Sequence, residues 1–307
     1  MHDIVIIGAG PAGLTAAIYA SRADKDVVVL ECASYGGQIT PTTDIENYPA
    51  MPHVSGIDFA ENLFNQAKEL GAKIVFGKAI NIRNMKTFKE VITPENTYKT
   101  KTIIIATGAE NRKLGLQNED KFVGKGVSYC ATCDGRFFKN KTVAVVGGGN
   151  TAIEEALYLS DLANKVYLIH RRDTFRADKK DIAKLNSKKN IEYVYNSRVT
   201  KLKGEEKLEA IVVADKDNNS TELDVSAIFI AVGRVPENQN FAKIIKLNKF
   251  GYVKAKEDCH TNVDGIYAAG DNRVKDLRQL VTATADGAVA ATEAIKYIAN
   301  KEKKKRL

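Results

Sequence analysis

The chain has 307 residues, enough for two ordinary domains each with its own core, and its 44 % hydrophobic and 27 % charged residues are the balance of a soluble globular protein. Four cysteines are too few for a secreted disulfide scaffold, no signal-peptide pattern precedes the strand that starts at Asp3, and no apolar run is long enough to cross a bilayer, so the expectation is a cytoplasmic chain that does not enter a membrane. The formal charge is +8, but residues 301–307 carry five basic groups and one acid, so half the excess is one tail, read as a solvated, frayed end; the rest is spread thinly and gives no ground for nucleic-acid binding.

Residues 3–7 form an apolar strand that runs into Gly8-Ala9-Gly10-Pro11-Ala12-Gly13. A helix over 14–22 and a second buried strand over 27–30 follow, ending at Glu31, eighteen residues after Gly13. This is the order of a dinucleotide-binding unit. Gly8 permits the tight turn, Gly10 lets the backbone approach a pyrophosphate, and Gly13 lets helix and strand pack closely. The helix N-terminus offers N–H groups to the phosphates, and Glu31 is placed to accept from a ribose hydroxyl, with Cys32 beside it at the adenosine end.

The stretch that follows holds the turn-rich Gly36-Gly37-Gln38 and the segment around Asn47. An amphipathic helix is predicted over 57–70 with Gly71 as its stop, then strands over 74–76, 79–82 and 88–92. A strand over 102–106 is closed by Thr107-Gly108, and an echo over 228–231 is closed by Val232-Gly233. Each reads as the return strand of a nucleotide-binding half. The domain crossings are placed just beyond them, near 111–114 and 234–238.

Between the crossings lies Cys130-Ala131-Thr132-Cys133-Asp134. Two cysteines at this spacing either close a disulfide ring or share a metal, and an acid directly after the second points to proton traffic. Structural zinc wants four ligands, and no second close Cys or His pair is present, so no metal site is expected. Cys32 and Cys259 are read as small buried or half-buried residues. Asp134 has a competing role as the cap of a turn at Gly135.

The first unit then returns. A strand over 143–146, Gly147-Gly148-Gly149-Asn150-Thr151-Ala152, a helix over 153–162 and a strand over 166–169 superpose on it at a constant shift of 139 residues without a gap. Gly13 becomes Ala152, which the signature allows. Glu31 becomes His170, followed by Arg171, Arg172 and Arg176. A carboxylate at that strand end repels a 2′-phosphate, whereas arginine forks receive it. The first site therefore suits a dinucleotide with a free ribose, and the second suits NADPH. Strands over 191–194, 198–203, 210–214 and 221–225 are expected to form a small antiparallel element. The chain closes with Gly270-Asp271, then Arg278-Gln279-Leu280, then a helix over 282–300.

Taken together, the two glycine signatures, Gly36-Gly37-Gln38, Cys130-Ala131-Thr132-Cys133-Asp134, His170-Arg171-Arg172 with Arg176, and Gly270-Asp271 resemble the low-molecular-weight thioredoxin reductases almost from end to end. The resemblance implies an α/β fold of two Rossmann-like domains, each a three-layer ββα arrangement. The FAD domain is discontinuous, residues 1–112 and 237–307, and the NADPH domain, residues 113–236, is inserted into it and carries the redox disulfide. It implies FAD and NADPH as cofactors, thioredoxin as the protein substrate, and a homodimer. By motif position Asp271 would hold the ribityl chain, Arg278 and Gln279 would lie along the isoalloxazine, and Gly37, Gln38 and Asn47 would line the flavin pocket. Cys130 and Cys133 would form the disulfide, Cys133 facing the flavin and Cys130 attacking the partner, with Asp134 as acid or base. The family alternates nicotinamide and disulfide at the flavin by rotating the inserted domain. Other expectations are a related flavoprotein reducing a different disulfide protein or oxidising a dithiol, and a non-enzymatic flavin-binding redox sensor.

Overall fold

The structure is a computed structural model that describes residues 1–306, with side chains described up to Lys303. The chain divides into two compact units, Met1–Glu110 together with the chain from Val235 onward, and Asn111–Arg234.

The first unit opens with β1 (His2–Ile7), α1 (Pro11–Ser21) and β2 (Val27–Glu31), continues through α2 (Gly56–Glu69), β3 (Lys73–Phe76), β4 (Asn81–Asn84) and β5 (Lys89–Ile92), and reaches the long β6 (Thr97–Ile105). The second unit is bounded by the crossing strands β7 (Ala109–Asn111) and, at its far end, β16 (Arg234–Pro236); between them it runs through α3 (Glu119–Phe122), β8 (Val127–Ser128), α4 (Ala131–Asp134), β9 (Thr142–Val146), α5 (Asn150–Ser160), β10 (Lys165–Ile169), α6 (Lys179–Asn186), β11 (Ile191–Val194), β12 (Arg198–Lys203), β13 (Ala210–Ala214), β14 (Ser220–Asp224) and β15 (Ala227–Ile230). The chain then returns to the first unit for β17 (Ile266–Ala268) and α7 (Leu280–Arg306). The crossing strands β7 and β16 pair with each other as a two-stranded ribbon.

In the first unit β3, β2, β1 and β6 lie side by side in parallel, with β17 parallel on the C-terminal half of β6. The N-terminal half of β6 instead pairs antiparallel with β5, which carries β4. One nine-residue strand thus belongs to two layers, which is why it starts six residues before its purely apolar part, Ile103–Ile105. Both faces of the parallel sheet are covered, so period-two alternation sorts apolar residues between two cores. Ile4, Ile6, Val27 and Val29 face α1 and α7; Val5, Ile7, Val28 and Leu30 face the other layer with Ile82, Val91 and Ile245.

The second unit repeats the plan. Its sheet, in the order β11-β10-β9-β15-β8, is parallel throughout. Val143 and Val145 pack with α5, while Ala144 and Val146 face the antiparallel β12-β13-β14.

Four element readings need correction. Residues 191–194 join the parallel sheet beside β10 rather than the antiparallel element, because Ile191 is buried against the helix-side core. The strand expected over 79–82 is shifted to Asn81–Asn84 by its pairing with β5. The eight-residue helix α6 was not anticipated; only Leu185 of it is buried, too few apolar positions to give a pattern. The basic C-terminal end continues α7 to Arg306 instead of fraying, held in part by Lys101 against Glu302 at 2.7 Å; the charges of residues 304–307 lie outside the described side chains.

Candidate active site

The glycine turn after β1 is tied at both ends. Gly8 N–H donates to Leu30 O at 2.7 Å, and Ala9 N–H donates to Glu31 Oε2 at 2.7 Å. Glu31 Oε1 accepts from Ala33 N–H at 2.9 Å. Buried Glu31 therefore fastens the turn to the end of β2, a task its sequence position alone did not show. The helix α1 starts at Gly10 with no side-chain cap, no acid in its first turn and Pro11 at its start. A Cβ on Gly10 would meet nothing within 4 Å. The helix start thus has no side chain over Gly10 and no competing acid in its first turn, which fits a pyrophosphate.

Two other expected segments, around Gly36-Gly37 and Gly270, reach this helix end. Gly36 N–H donates to Ala9 O at 2.8 Å, and Gly37 lies against Gly10. Gly270 approaches Ala12 so closely that a Cβ there would fall 2.9 Å from the Ala12 methyl group, which places Asp271 beside the helix start. Asn47 Nδ2 donates to Gln279 Oε1 at 3.1 Å, joining two residues 232 apart in sequence. Arg278 lies 4.3 Å over the Tyr252 ring and donates from Nη2 to Arg273 O at 3.3 Å. Leu280 opens α7, Gln38 is exposed in a short 3-10 turn, and Gly108 closes β6 with open space where a Cβ would be. A cleft with about 460 Å³ of empty space runs from Gly8 past Glu31 and Cys32 to Thr107 and Phe241. Thr107, Lys78 and Phe241 in this lining were missed, since nothing local marks them; they come from three distant segments. Cys259 is buried as expected, but Cys32 is exposed, at the mouth of this cleft, because the chain leaves the sheet there.

The second turn is built alike. Gly147 N–H donates to Ile169 O at 3.0 Å, and α5 starts at Gly149 with neither a side-chain cap nor an acid in its first turn. A Cβ on Gly149 would meet nothing within 4 Å. Asn150 is fixed by Asp178, donating from Nδ2 at 3.3 Å and accepting Asp178 N–H at 3.1 Å, while Thr151 is exposed and Ala152 buried. Arg176 N–H donates to Gly148 O at 2.7 Å, which brings the arginine segment across the turn. Arg171 and Arg176 are exposed and Arg172 half-buried, all beyond the end of β10. His170 is buried with its ring against Gly148 and near Phe175, and burial lowers its pKa, so it wedges the turn as a neutral ring. Gly233 has φ +104° and accepts Arg112 N–H at 3.0 Å beside the crossing.

Cys130 and Cys133 are joined as a disulfide with Cα atoms 5.3 Å apart. The pair straddles the start of the one-turn α4, and Cys133 and Asp134 N–H both donate to Cys130 O. Asp134 does not cap the next turn. Its Oδ2 accepts Ser128 Oγ–H at 2.6 Å, and burial, only partly offset by that bond, pushes its pKa up. Ser128 Oγ also accepts Cys130 N–H at 3.1 Å. Behind the pair, Glu155 on α5 accepts Ala131 N–H at 3.4 Å, and burial pushes its carboxyl up to about 7. Tyr129 donates from its hydroxyl to buried Glu119 Oε1 at 2.8 Å, while Glu119 gathers the N–H groups of residues 114–116. Ser128, Glu155 and Glu119 were not read from sequence. Glu155 had a signal available: it falls on Ala16 in the repeat, a carboxyl where the first unit has a buried methyl. Two carboxyls whose pKa burial raises, Asp134 and Glu155, thus belong to or contact the segment that carries the disulfide.

Residues 2–287 match the pyridine nucleotide-disulphide oxidoreductases, and the chain belongs to that family. Within it, the chain is 43 % identical over 300 residues to the thioredoxin reductase of Listeria monocytogenes, covering 97 % of this chain and 94 % of that one. It is 39 % identical over 300 residues to the thioredoxin reductase of Bacillus subtilis, covering 97 % and 95 %. The crystal structure of thioredoxin reductase from Streptococcus pyogenes superposes with a TM-score of 0.94 at 37 % identity, covering 98 % of this chain and 99 % of that one. The resemblance to low-molecular-weight thioredoxin reductases read from short motifs therefore holds over nearly the whole length. Among the described residues no helix is long and apolar enough to cross a membrane.

Proposed function

We propose that the chain is a thioredoxin-disulfide reductase, drawing electrons from NADPH through FAD to the Cys130–Cys133 disulfide and passing them to oxidised thioredoxin. The observation that carries this is the disulfide flanked by two carboxyls whose pKa values burial raises, on a chain with two nucleotide-binding turns. FAD fits the first unit: Gly8, Gly10 and Gly13 with α1 for the pyrophosphate, Glu31 and the adjoining cleft for adenosine, and Asp271, Arg278, Gln279, Asn47, Gly37 and Gln38 for the ribityl chain and ring. NADPH fits the second, where α5 faces the pyrophosphate and Arg171, Arg172 and Arg176 face the 2′-phosphate. The bound cofactors supply hydride transfer and a two-electron store.

The residues of the chain do the rest. Reduction opens the Cys130–Cys133 bond to a dithiol, two electrons and two protons entering. Asp134, held by Ser128, and Glu155 are the groups that take the proton from the Cys130 thiol and return one to the thiolate expelled from thioredoxin. The Cys130 thiolate then attacks one sulfur of the thioredoxin disulfide, forming a mixed disulfide and expelling a thiolate that takes a proton. Cys133 attacks Cys130, re-forms the internal bond and releases reduced thioredoxin. Thioredoxin lies near about −270 mV, so the Cys130–Cys133 couple must lie close to or below that value.

We infer in addition a homodimer. Val281, Ala285 and Val289 repeat every four residues on an exposed face of α7, beside exposed Leu277, and such an apolar stripe favours burial against a second copy. Sedimentation velocity tests it; a monomer at micromolar concentration sinks it.

The functional test is stopped-flow reduction by NADPH, with thioredoxin added, for the native chain and for Cys130→Ser. The native chain should bleach and then turn over. The variant should still accept electrons from NADPH but reduce no thioredoxin. Turnover by Cys130→Ser at the native rate would end the proposal.

A further inference from the structure

Residues 270–279 carry Asp271, Arg278 and Gln279, yet they contain no helix and no strand. One carboxylate on another element holds them in shape. Asp286, in the second turn of α7, accepts four hydrogen bonds. Its Oδ2 takes Gly270 N–H at 2.9 Å, Arg273 Nε–H at 2.8 Å and Lys275 Nζ at 2.9 Å, and its Oδ1 takes Arg273 Nη2 at 2.8 Å. The side chains of Arg273, Lys275 and Asp286 are only 2 %, 6 % and 8 % exposed. Arg273 also reaches Glu257 at the rim, from Nη1 at 3.3 Å.

The order extends outward from this knot on both sides of Asp271. Before it, Gly270 is pinned through its N–H. After it, Arg273 O accepts Arg278 Nη2 at 3.3 Å, and Arg278 Nε approaches Asp271 O at 3.5 Å. Asn272 Nδ2 donates to Ile105 O at 3.0 Å, and Asn238 Nδ2 donates to Asn272 O at 2.8 Å. Burial by itself pushes the Asp286 carboxyl up, but the bonds from Arg273 and Lys275 outweigh it and hold the pKa below the ordinary carboxylate range. A buried ion pair adds little that well-packed apolar residues would not add to stability. What apolar residues do not offer is four directional bonds on one point, and that is what fixes a loop lacking regular structure.

We propose that Asp286 is a positioning residue for the flavin. Enclosed by protein, it sets Asp271 and Arg278 through Gly270 and Arg273, so that the loop is in its FAD-binding shape before FAD arrives. This rests on the reading that Asp271 and Arg278 hold FAD.

The test compares the native chain with Asp286→Asn, which keeps the shape and loses the charge, and with Arg273→Lys, which keeps the charge and loses the two-pronged bond. Apoprotein of each is titrated with FAD, and the melting temperature is taken with and without FAD, together with the visible circular dichroism of the bound flavin. Both variants should raise the FAD dissociation constant at least about tenfold, the worth of one charge-assisted bond, narrow the gap between apo and holo melting, and alter the flavin dichroism. Should Asp286→Asn fail to fold, Arg273→Lys decides alone. If the variants lower apo and holo melting equally and bind FAD as the native chain does, Asp286 is scaffold and the proposal is overturned. A native chain that takes up no FAD removes the functional reading as well; native binding beside unaffected variants overturns this inference alone.

Discussion

The two βαβ units are the same object used in two ways. At a shift of 139 residues, α1 (Pro11–Ser21) falls on α5 (Asn150–Ser160) residue for residue. The first glycine of each turn sits against the carbonyl of a return strand: a Cβ would fall 2.4 Å from Ala106 O at Gly8 and 2.4 Å from Ala231 O at Gly147. What differs is the outer face of the helix. In the first unit it is small and apolar, and Gly287 of α7 packs directly on Ala12 and Ala16. In the second unit the place of Ala16 is taken by Glu155, which faces the disulfide element. The backbone builds the same glycine turn in both, and the helix face decides what else is brought to it. The strand end differs as well: Glu31 turns inward to the glycine turn, while beyond His170 the arginines face out.

Substitutions at matched positions test how deep the likeness goes. The largest effect is expected at Gly13, where a Cβ would stand 1.9 Å from Gly8 O. Gly13→Ala must move backbone, so it should cost about 3 kcal/mol or more and yield protein that does not retain flavin. Normal flavin content and melting would show that the turn is looser than its geometry. Next come Arg171→Gln and Arg172→Gln together. Losing two charge-assisted contacts should raise the Michaelis constant for NADPH ~100-fold, with little change for NADH. Equal changes for the two nucleotides would remove the contrast between the strand ends.

Glu155 gives a pH-dependent difference that Ala16 cannot. Its carboxyl has an ordinary value of 4.5 and is pushed up to about 7 in the folded chain, chiefly by burial. The folded state therefore binds the proton more tightly than the unfolded state. Its stabilising effect is complete below pH 4.5 and is lost as pH rises to about 7. In urea unfolding across that window, the native chain should lose on the order of 2 kcal/mol relative to Glu155→Gln. Parallel curves would mean that Glu155 titrates as if in water. The smallest effect is expected of Ala152→Gly, which restores the glycine of the first unit. It should cost less than about 1 kcal/mol, the helix-propensity difference. A loss as large as that of Gly13→Ala would show that the buried Ala152 methyl is essential packing in the second turn.

Much of this was legible because short-range rules govern it. The glycine turns, the apolar strands and the cysteine pair each depend on neighbours within a few residues, and the repeat doubled the signal. The strand over 191–194 was assigned to the wrong sheet because an apolar run does not say which edge it will join. Asp286 gave no signal, since its three partner residues lie eleven to sixteen residues upstream in a loop without periodicity. Ser128 was silent because a serine is ordinary until the disulfide lies beside it, and Glu155 stood out only against Ala16 in the repeat.

By itself the sequence determined the two nucleotide-binding units, their order, the redox pair between them and the charge that separates one ligand from the other. These follow from local backbone geometry and from which side chains repel or receive a phosphate. Only the tertiary structure decided which carboxyls are buried near the disulfide and what fixes residues 270–279. Burial raises the Asp134 and Glu155 carboxyls and lets one Asp286 carboxylate take four donors. Burial is set by segments far apart along the chain, so it exists only once they have packed.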